Sequence, residues 1–254
     1  MTALMISAIE GHLRVVDLLL KYRANPNLVN SEGVTALMFA SQRGHTKIVD
    51  LLLQNNASLD LSDRDGVTSI SAAAQNGHLD IVNLLARSNA PIDHANKFGV
   101  TPLMFACQEG FPDVVDLLMA YGADVNTTDN SGCTALMAAA RNGHYKVVKL
   151  LLQNKAYLDV SDETGVTALH IAAENGYSNV VDLLLRREAS VDRSTGDGVT
   201  ALMFASQNGY LEVVKILLTH GANVDAVSNR GVTASMFARA NGNTDILEVL
   251  NSKL

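Results

Sequence analysis

The 254-residue sequence contains few cysteines and no long apolar segment. Its two cysteines, Cys107 and Cys133, are too few for a disulfide framework, so we expect both to be small buried side chains. The purely apolar runs are short, whereas a membrane-spanning helix needs about 20 such residues. The N-terminus lacks the basic start and apolar core of a signal peptide. These shortages predict an intracellular protein, with the cytoplasm as the simplest location, and no insertion into a membrane.

Positive charge and the common chemical motifs are also scarce. The formal net charge is −7 at pH 7, whereas a nucleic-acid-binding domain usually presents a basic stripe. We therefore expect no nucleic acid partner. The sequence also lacks the H-E-x-x-H and C-x-x-C metal spacings, the phosphate-binding loop and the G-x-S-x-G nucleophile turn. These absences predict no metal, no cofactor and no enzymatic activity.

The sequence instead repeats itself with a period of 33 residues. The segment GVTALMFASQ occupies positions 33–42 and again positions 198–207, which lie 165 positions apart, or five times 33. Threonine recurs at this period at Thr2, Thr35, Thr68, Thr101, Thr134, Thr167, Thr200 and Thr233. Because no insertion or deletion breaks the series, we predict one domain, residues 1–254, built from about eight repeats.

Each repeat has the pattern of two helices and two turns. In the second repeat, Gly33 lies in a polar turn, and the hydroxyl of Thr35 is placed to cap the first turn of a short helix. Gly44 ends that helix, and the aliphatic residues that follow as far as Leu53 favour a second, longer helix. One such pair can bury its apolar face only against a neighbouring repeat. The sequence therefore predicts an all-α stack.

The histidines and aspartates follow the repeat and form no catalytic cluster. One repeat position holds His12, His45, His78 and His144, and in other repeats Phe111, Tyr177, Tyr210 and Asn243. A catalytic side chain would not recur in successive repeats or exchange with phenylalanine, so we assign these histidines a structural role. Aspartates recur in the loop at Asp60, Asp93, Asp159, Asp192 and Asp225, where we expect them to form turns.

Several features together resemble the ankyrin repeat over all 254 residues: the 33-residue period, the T-x-L-x-x-A helix start, the G-H turn and the G-A-D-V-N loop at 122–126. The resemblance implies an ankyrin-repeat solenoid of stacked helix-turn-helix units with β-turn or hairpin loops. The family pattern T-P-L-H is incomplete, because its proline is present only at Pro102 and its histidine only at His170. In the family that histidine makes hydrogen bonds between repeats. Methionine takes its place in most repeats here, so we expect apolar packing instead.

The first and last repeats depart from the pattern in different ways. In the last repeat, Ser235, Arg239 and Asn251 replace apolar residues, which predicts a C-terminal cap. The first repeat lacks a leading turn but keeps an apolar second helix, so we expect the chain to derive from a longer array. We expect a monomer, with end-to-end contacts at the N-terminal end as an open alternative.

The resemblance also implies where a partner would bind. In the ankyrin family, the turn tips and the exposed side of the first helices line a concave groove that binds proteins. Phe39, Gln42 and Arg43 share one such helix face because they are spaced i, i+3 and i+4. Carried over position by position, the predicted partner-binding residues are Phe39, Arg43, Arg64, Asp65, Lys97, Phe98, Phe105, Gln108, Asn130, Arg141, Glu163, Glu174, Asp197 and Phe204.

Two aromatic positions in this set allow two interpretations each. Phe98 at a turn tip is either a binding anchor or a ring folded back onto its own loop. The first-helix position of Phe39 and Phe105 either packs against the turns or forms an apolar groove floor. We take Phe98 and Phe105, flanked by Arg64 and Arg141, as the candidate hot spot.

The sequence thus favours a non-enzymatic module that binds a protein or peptide partner through its concave groove. A structural spacer in a larger protein and an engineered repeat scaffold remain alternatives. The binding module and the structural spacer differ in one expectation. A binding module loses its partner when groove residues change, whereas a spacer is unaffected.

Overall fold

A computed structural model describes residues 1–252 of the chain, and helices dominate this part. The helices are α1 (Ala3–Ile9), α2 (Leu13–Lys21), α3 (Ala36–Gln42), α4 (Thr46–Gln54), α5 (Ser69–Gln75), α6 (Leu79–Arg87), α7 (Pro102–Glu109), α8 (Pro112–Ala120), α9 (Ala135–Arg141), α10 (Tyr145–Gln153), α11 (Ala168–Glu174), α12 (Ser178–Arg186), α13 (Ala201–Asn208), α14 (Leu211–Thr219), α15 (Ala234–Ala240) and α16 (Thr244–Asn251). Extended pairing in the described residues is limited to the isolated bridges Ser62–Thr68 and Ser194–Thr200. The predicted all-α class is confirmed.

The repeated threonines start the odd-numbered helices. The Thr35 hydroxyl accepts a hydrogen bond from the backbone N–H of Met38 at 3.2 Å, which satisfies one of the unpaired amides of the first turn of α3. Six other threonines cap their helices in the same way. Gly44 follows α3 with a φ of 78°, a left-handed conformation that glycine adopts without strain. The helix boundaries predicted from these residues are therefore correct.

The chain forms two compact units, Met1–Asn130 and a second that begins at Ser131. In the first unit, α1, α3, α5 and α7 pack side by side in that order. The helices α2, α4, α6 and α8 form a second row, also in that order. In the second unit, α9, α11, α13 and α15 do the same, as do α10, α12, α14 and α16. The single-domain assignment of 1–254 stays a prediction, and its last two residues lie outside the described part.

Small side chains let the odd helices approach each other closely. Ala40, Ala73 and Ala106 are fully buried on α3, α5 and α7. The even helices supply the larger aliphatic side chains, such as Leu52 and Leu151, which are also fully buried. Each burial of this kind is worth about 1.5–3 kcal/mol. The core of each compact unit therefore lies between its odd and even helices.

The repeated histidine position packs one repeat onto the preceding one. His45 Nε2 lies 3.0 Å from the carbonyl oxygen of Ile9, and His78 Nε2 lies 3.0 Å from that of Gln42. A Cβ built on Gly11 would lie only 2.7 Å from the His45 ring. This geometry agrees with the structural role predicted for these histidines. It also explains why glycine precedes the histidine in the G-H turn.

Some of the loop aspartates also join neighbouring repeats. The carboxylate of Asp93 accepts the backbone N–H of Asp124, and that of Asp192 accepts the N–H of Asn223, each 31 residues further on. The prediction that the loop aspartates form turns did not include this second role, in which Asp93 and Asp192 each connect a loop to the loop of the next repeat. Burial raises the pKa of Asp93, against the hydrogen bond from Asp124, which acts to lower it.

The two cysteines lie in different environments. Cys107 is fully buried, and burial raises the pKa of its thiol well above the usual range. Cys133 is only half-buried, so the expectation that both would be buried was wrong for this residue. The reason is its position just before the capping Thr134, where Val34 and Val67 of other repeats are also half-buried.

The histidine-to-methionine exchange has the predicted effect on inter-repeat hydrogen bonds. The Nε2–H of His170 donates to the carbonyl of Arg193 at 2.8 Å, which ties α11 to the loop of the following repeat. Met5 and Met137 at the equivalent position are buried. Their sulfur atoms lie 3.4 and 3.5 Å from the N–H of their own capping threonines. At these two positions methionine thus fills the space and interacts within its own repeat.

Candidate protein-binding surface

A side-chain oxygen fixes the shape of each turn tip. Asn96 Oδ1 accepts hydrogen bonds from the backbone N–H groups of Phe98 and Val100, both at 2.9 Å. Asp63 makes the same pair of contacts in the preceding turn. This is the local bonding that favours Asn and Asp in turns. The tip backbone, and with it the Cα position of Phe98, is therefore held in place.

Backbone hydrogen bonds also join successive tips within each compact unit. In the first unit, the N–H groups of Arg64, Lys97 and Asn130 donate to the carbonyls of Glu32, Asp65 and Phe98 at 2.8, 2.8 and 2.9 Å. In the second unit, the corresponding donors are Glu163, Gly196 and Asn229, and the acceptors are Ser131, Thr164 and Asp197. We call this series the tip ladder. It places the tip side chains at regular intervals on a rigid edge.

The first compact unit carries nine of the predicted partner-binding residues. They are Phe39 and Arg43 on and just after α3, Arg64, Asp65, Lys97, Phe98 and Asn130 on the tips, and Phe105 and Gln108 on α7. Phe39 and Phe105 are half-buried, and the remaining seven are exposed. Phe98 is 62% exposed, a large value for an aromatic side chain. The unit therefore combines an exposed ring on a tip with two partly accessible rings, one on α3 and one on α7.

The second compact unit carries the other five. Arg141, Glu163, Glu174 and Asp197 are exposed, and Phe204 is half-buried. The Phe204 ring meets His170 edge-on, with ring centroids 6.0 Å apart and an interplanar angle of 77°. This contact packs Phe204 against α11 of the preceding repeat. The two interpretations left open for its repeat position, packing against the turns or forming a groove floor, stay predictions.

Charges on this surface interact weakly or locally. Arg64 Nη1 lies 3.3 Å from Glu32 Oε2, but both side chains are exposed, so the pair contributes little to stability. Burial alone would raise the pKa of Asp162. Hydrogen bonds from the hydroxyl and N–H of Thr164 and from the N–H of Val166, with the charge of Arg141, lower it instead. Asp162 therefore stays ionised and keeps its turn closed.

Residues 1–252 contain neither a metal-binding cluster nor a membrane-spanning helix. No group of three or more His, Cys, Asp or Glu side chains there is placed to hold a metal ion. None of the helices described combines the length and apolar character needed to cross a membrane.

Family models match nearly the whole chain. The model described as "Ankyrin repeats (3 copies)" matches residues 1–63, 70–162, 127–195 and 169–253. A second, "Ankyrin repeats (many copies)", matches residues 43–86. The chain belongs to the ankyrin repeat family. No curated protein matches it significantly in sequence.

Ankyrin repeats are generally protein–protein interaction modules, and the family is typically non-enzymatic. The turn tips and first helices that sequence reasoning selected are therefore the natural candidate for this ankyrin chain. Sequence reasoning missed the tip ladder that supports them. The sequence carries a signal for the shape of the tips and none for the ladder: a side-chain acceptor precedes Glu32 and its equivalents by two residues, at Asn30, Asp63, Asn96, Asp129, Asp162, Thr195 and Ser228.

Proposed function

We propose that this ankyrin chain binds a partner protein or peptide through the turn tips and first helices, the concave groove of the family, without catalysing a reaction. The tip ladder carries the proposal. It fixes the backbone of every tip, yet the side chains there differ from repeat to repeat. At the second tip position they are Glu32, Asp65, Phe98, Ser131, Thr164, Asp197 and Arg230. The ladder bonds join backbone groups, so the stack does not depend on which side chain occupies this position.

The hot spot of the proposal lies in the first compact unit. Phe98 is an exposed aromatic on a fixed backbone, so a partner that buries its ring loses little conformational freedom there. Phe105 on α7 is half-buried and adds apolar area, and Arg64 adds a donor on the tip that precedes the Phe98 tip. Arg141 is proposed as a further contact in the second unit. The exposed carboxylates Glu163, Glu174 and Asp197 would set the orientation of the partner more than its affinity.

An intracellular location is part of the proposal. It is supported by the small number of cysteines, which argues against the disulfide framework common in small secreted domains. We propose no nucleic acid and no cofactor as binding partner.

Affinity capture from a lysate of the source cells tests the binding proposal. The chain is compared with the triple variant Phe98→Ala, Phe105→Ala, Arg141→Ala. We expect a protein that is retained by the first and lost by the second. The matched control is Leu79→Ala with Arg87→Ala, two exposed residues on α6, which should retain it.

Circular dichroism must show that all three chains are folded. Equal capture by the original chain and the triple variant would contradict the proposed surface. Capture of nothing by any chain would favour the structural spacer.

A further inference from the structure

The tip of the seventh repeat, residues 195–197, is held by fewer bonds of its own than most other tips. In four of those tips one side-chain oxygen accepts two backbone N–H groups, at Asn30, Asp63, Asn96 and Asp162. Among the described residues, Thr195 Oγ1 accepts one such group, the N–H of Val199 at 3.2 Å. Gly196 follows, and glycine loses more backbone freedom on ordering than any other residue. This tip therefore depends more on support from outside.

The preceding repeat supplies such support through His170 on α11. This residue is only 1% exposed. Its Nε2–H donates at 2.8 Å to the carbonyl of Arg193, which lies two residues before Thr195. Its Nδ1 accepts the N–H of Thr167 at 3.1 Å, and this bond fixes the orientation of the ring on its own helix. One nitrogen therefore anchors the ring to α11, and the other holds the base of the 195–197 tip.

Histidine occupies this repeat position only in the sixth repeat. The other repeats have Met5, Met38, Ser71, Met104, Met137, Met203 and Met236. A methionine sulfur has no hydrogen to donate, so it cannot make the contact with the next loop. The tip of the eighth repeat is also held by one such bond, from Ser228 to the N–H of Val232, but it carries none of the predicted partner-binding residues. The histidine is thus present where a less firmly held tip carries a predicted binding residue.

The His170 ring is connected to two of the predicted partner-binding residues. Asp197 is the exposed residue of the tip whose base the ring holds. Phe204 on α13 meets the ring edge-on, with ring centroids 6.0 Å apart. A partner that contacts both residues needs them in a fixed arrangement. Holding them in advance reduces the conformational freedom that is lost on binding.

We infer that His170 is a positioning residue of the candidate binding surface, which holds the 195–197 tip and the Phe204 ring in the arrangement that a partner meets. Because the histidine is buried, it acts through the tip and Phe204 and not by touching the partner. The inference rests on the proposed function, since Asp197 and Phe204 are recognition residues only if that surface binds.

Amide hydrogen exchange of the whole chain, followed residue by residue by NMR, tests the inference without a partner. The N–H of Gly196 donates to the carbonyl of Thr164 at 2.8 Å and therefore reports on the tip. In His170→Met, which introduces the residue of most other repeats, we expect this N–H to exchange about 2- to 10-fold faster. The N–H groups of Lys97 and Glu163 donate in other steps of the tip ladder and should exchange as in the original chain.

Two further variants separate positioning from a general loss of stability. The matched control Met104→Leu changes the equivalent position of the fourth repeat and should leave the exchange of Gly196 unchanged. Adding Thr195→Asn to His170→Met gives the tip the acceptor that Asn30 and Asn96 provide in other tips, and it should restore slow exchange. Circular dichroism verifies the fold of each variant. If the double variant does not fold, Thr195→Asn alone replaces it and should slow the exchange of Gly196 below that of the original chain.

A partner captured by the original chain should bind His170→Met about 2- to 10-fold more weakly, and Thr195→Asn should restore the affinity. The inference is overturned by unchanged exchange of Gly196 in His170→Met, by equal acceleration at Lys97 and Glu163, or by a Thr195→Asn variant that restores nothing. Faster exchange with unchanged affinity also overturns it. If the original chain captures no partner, the proposed function fails, and the exchange comparison still decides whether His170 holds the tip.

Discussion

His170 links the stability of the protein to pH through a single buried ring. Its Nδ1 accepts the N–H of Thr167 at 3.1 Å, and its Nε2–H donates to Arg193. Protonation of Nδ1 would place a new N–H of the ring against the N–H of Thr167, so this hydrogen bond would be lost. Burial lowers the pKa of His170, although its hydrogen bond to Arg193 acts in the opposite direction. The folded protein therefore holds this ring neutral.

The lowered pKa predicts acid sensitivity. Above the unfolded pKa of about 6.5, both states are neutral at this residue and its contribution to stability is complete. Below that pH the unfolded chain takes up a proton that the folded chain resists, so the free energy of unfolding falls. The loss is at most about 1.4 kcal/mol per pH unit for one proton. The variant His170→Met introduces the residue that most other repeats have at this position. Urea unfolding at pH 7.5 and pH 5.5 should show that the free energy of unfolding falls more for the original chain than for this variant. Equal losses would contradict the prediction.

Comparing two glycines of the first compact unit distinguishes the cost of backbone strain from the cost of steric contact. Gly77 and Gly122 both have positive φ, at 71° and 92°. A Cβ on Gly77 would lie 2.7 Å from the Phe111 ring, whereas a Cβ on Gly122 has nothing within 4 Å.

We therefore expect Gly77→Ala to destabilise the protein more than Gly122→Ala. Both variants strain the backbone by about 1 kcal/mol, but only the first forces the ring aside, which costs about 1–3 kcal/mol more. Urea unfolding of the two variants measures the difference. Equal losses would show that the ring moves away freely.

At the scale of the element, the even helices carry the stacking energy. Leu151 on α10 is fully buried, and its neighbour Leu150 is half-buried. Leu151→Ala removes buried carbon and leaves a cavity, so it should destabilise the protein by about 2–5 kcal/mol. Leu150→Ala should cost clearly less. A melting temperature that barely moves for Leu151→Ala would contradict the stacked core.

The helices could be predicted because their start and stop signals are local. A threonine such as Thr35 caps within three residues, and Gly44 ends the helix within its own turn. The ends of the even helices are less regular. Lys155 and Glu188 take left-handed conformations, with φ of 64° and 71°, at a position where two other repeats have Gly122 and Gly221. Tertiary packing overrides residue preference there, and no local pattern reveals it.

The connections between repeats could not be predicted in this way. Asp93 resembles any turn aspartate in sequence, and its bond to Asp124 exists only because stacking brings the two loops together. The exposed positions of the candidate surface did follow from helical spacing. Which of its rings also pack did not, because the edge-on contact of Phe204 with His170 joins residues of different repeats.

At the scale of the whole molecule, the exposed positions proposed to bind differ from the buried positions that stabilise the stack, whereas a half-buried ring such as Phe204 also packs. Phe98 and Arg141 are exposed, so Phe98→Ala and Arg141→Ala should each change the free energy of unfolding by no more than about 0.5 kcal/mol. Urea unfolding measures this change, and the loss in the Leu151→Ala variant is the reference for a residue of the core. A loss of several kcal/mol for Phe98→Ala would mean that its ring serves folding, and would remove it as a recognition residue.

The tip ladder also bears on how such a chain acquires a new specificity. Its inter-repeat bonds run from backbone N–H to backbone carbonyl, so they do not depend on which side chain occupies the tip. A repeat copied by gene duplication, as the recurrence of 33–42 at 198–207 indicates, arrives with its tip already in register. A single later substitution at that tip can then alter what is recognised without a compensating change in the fold.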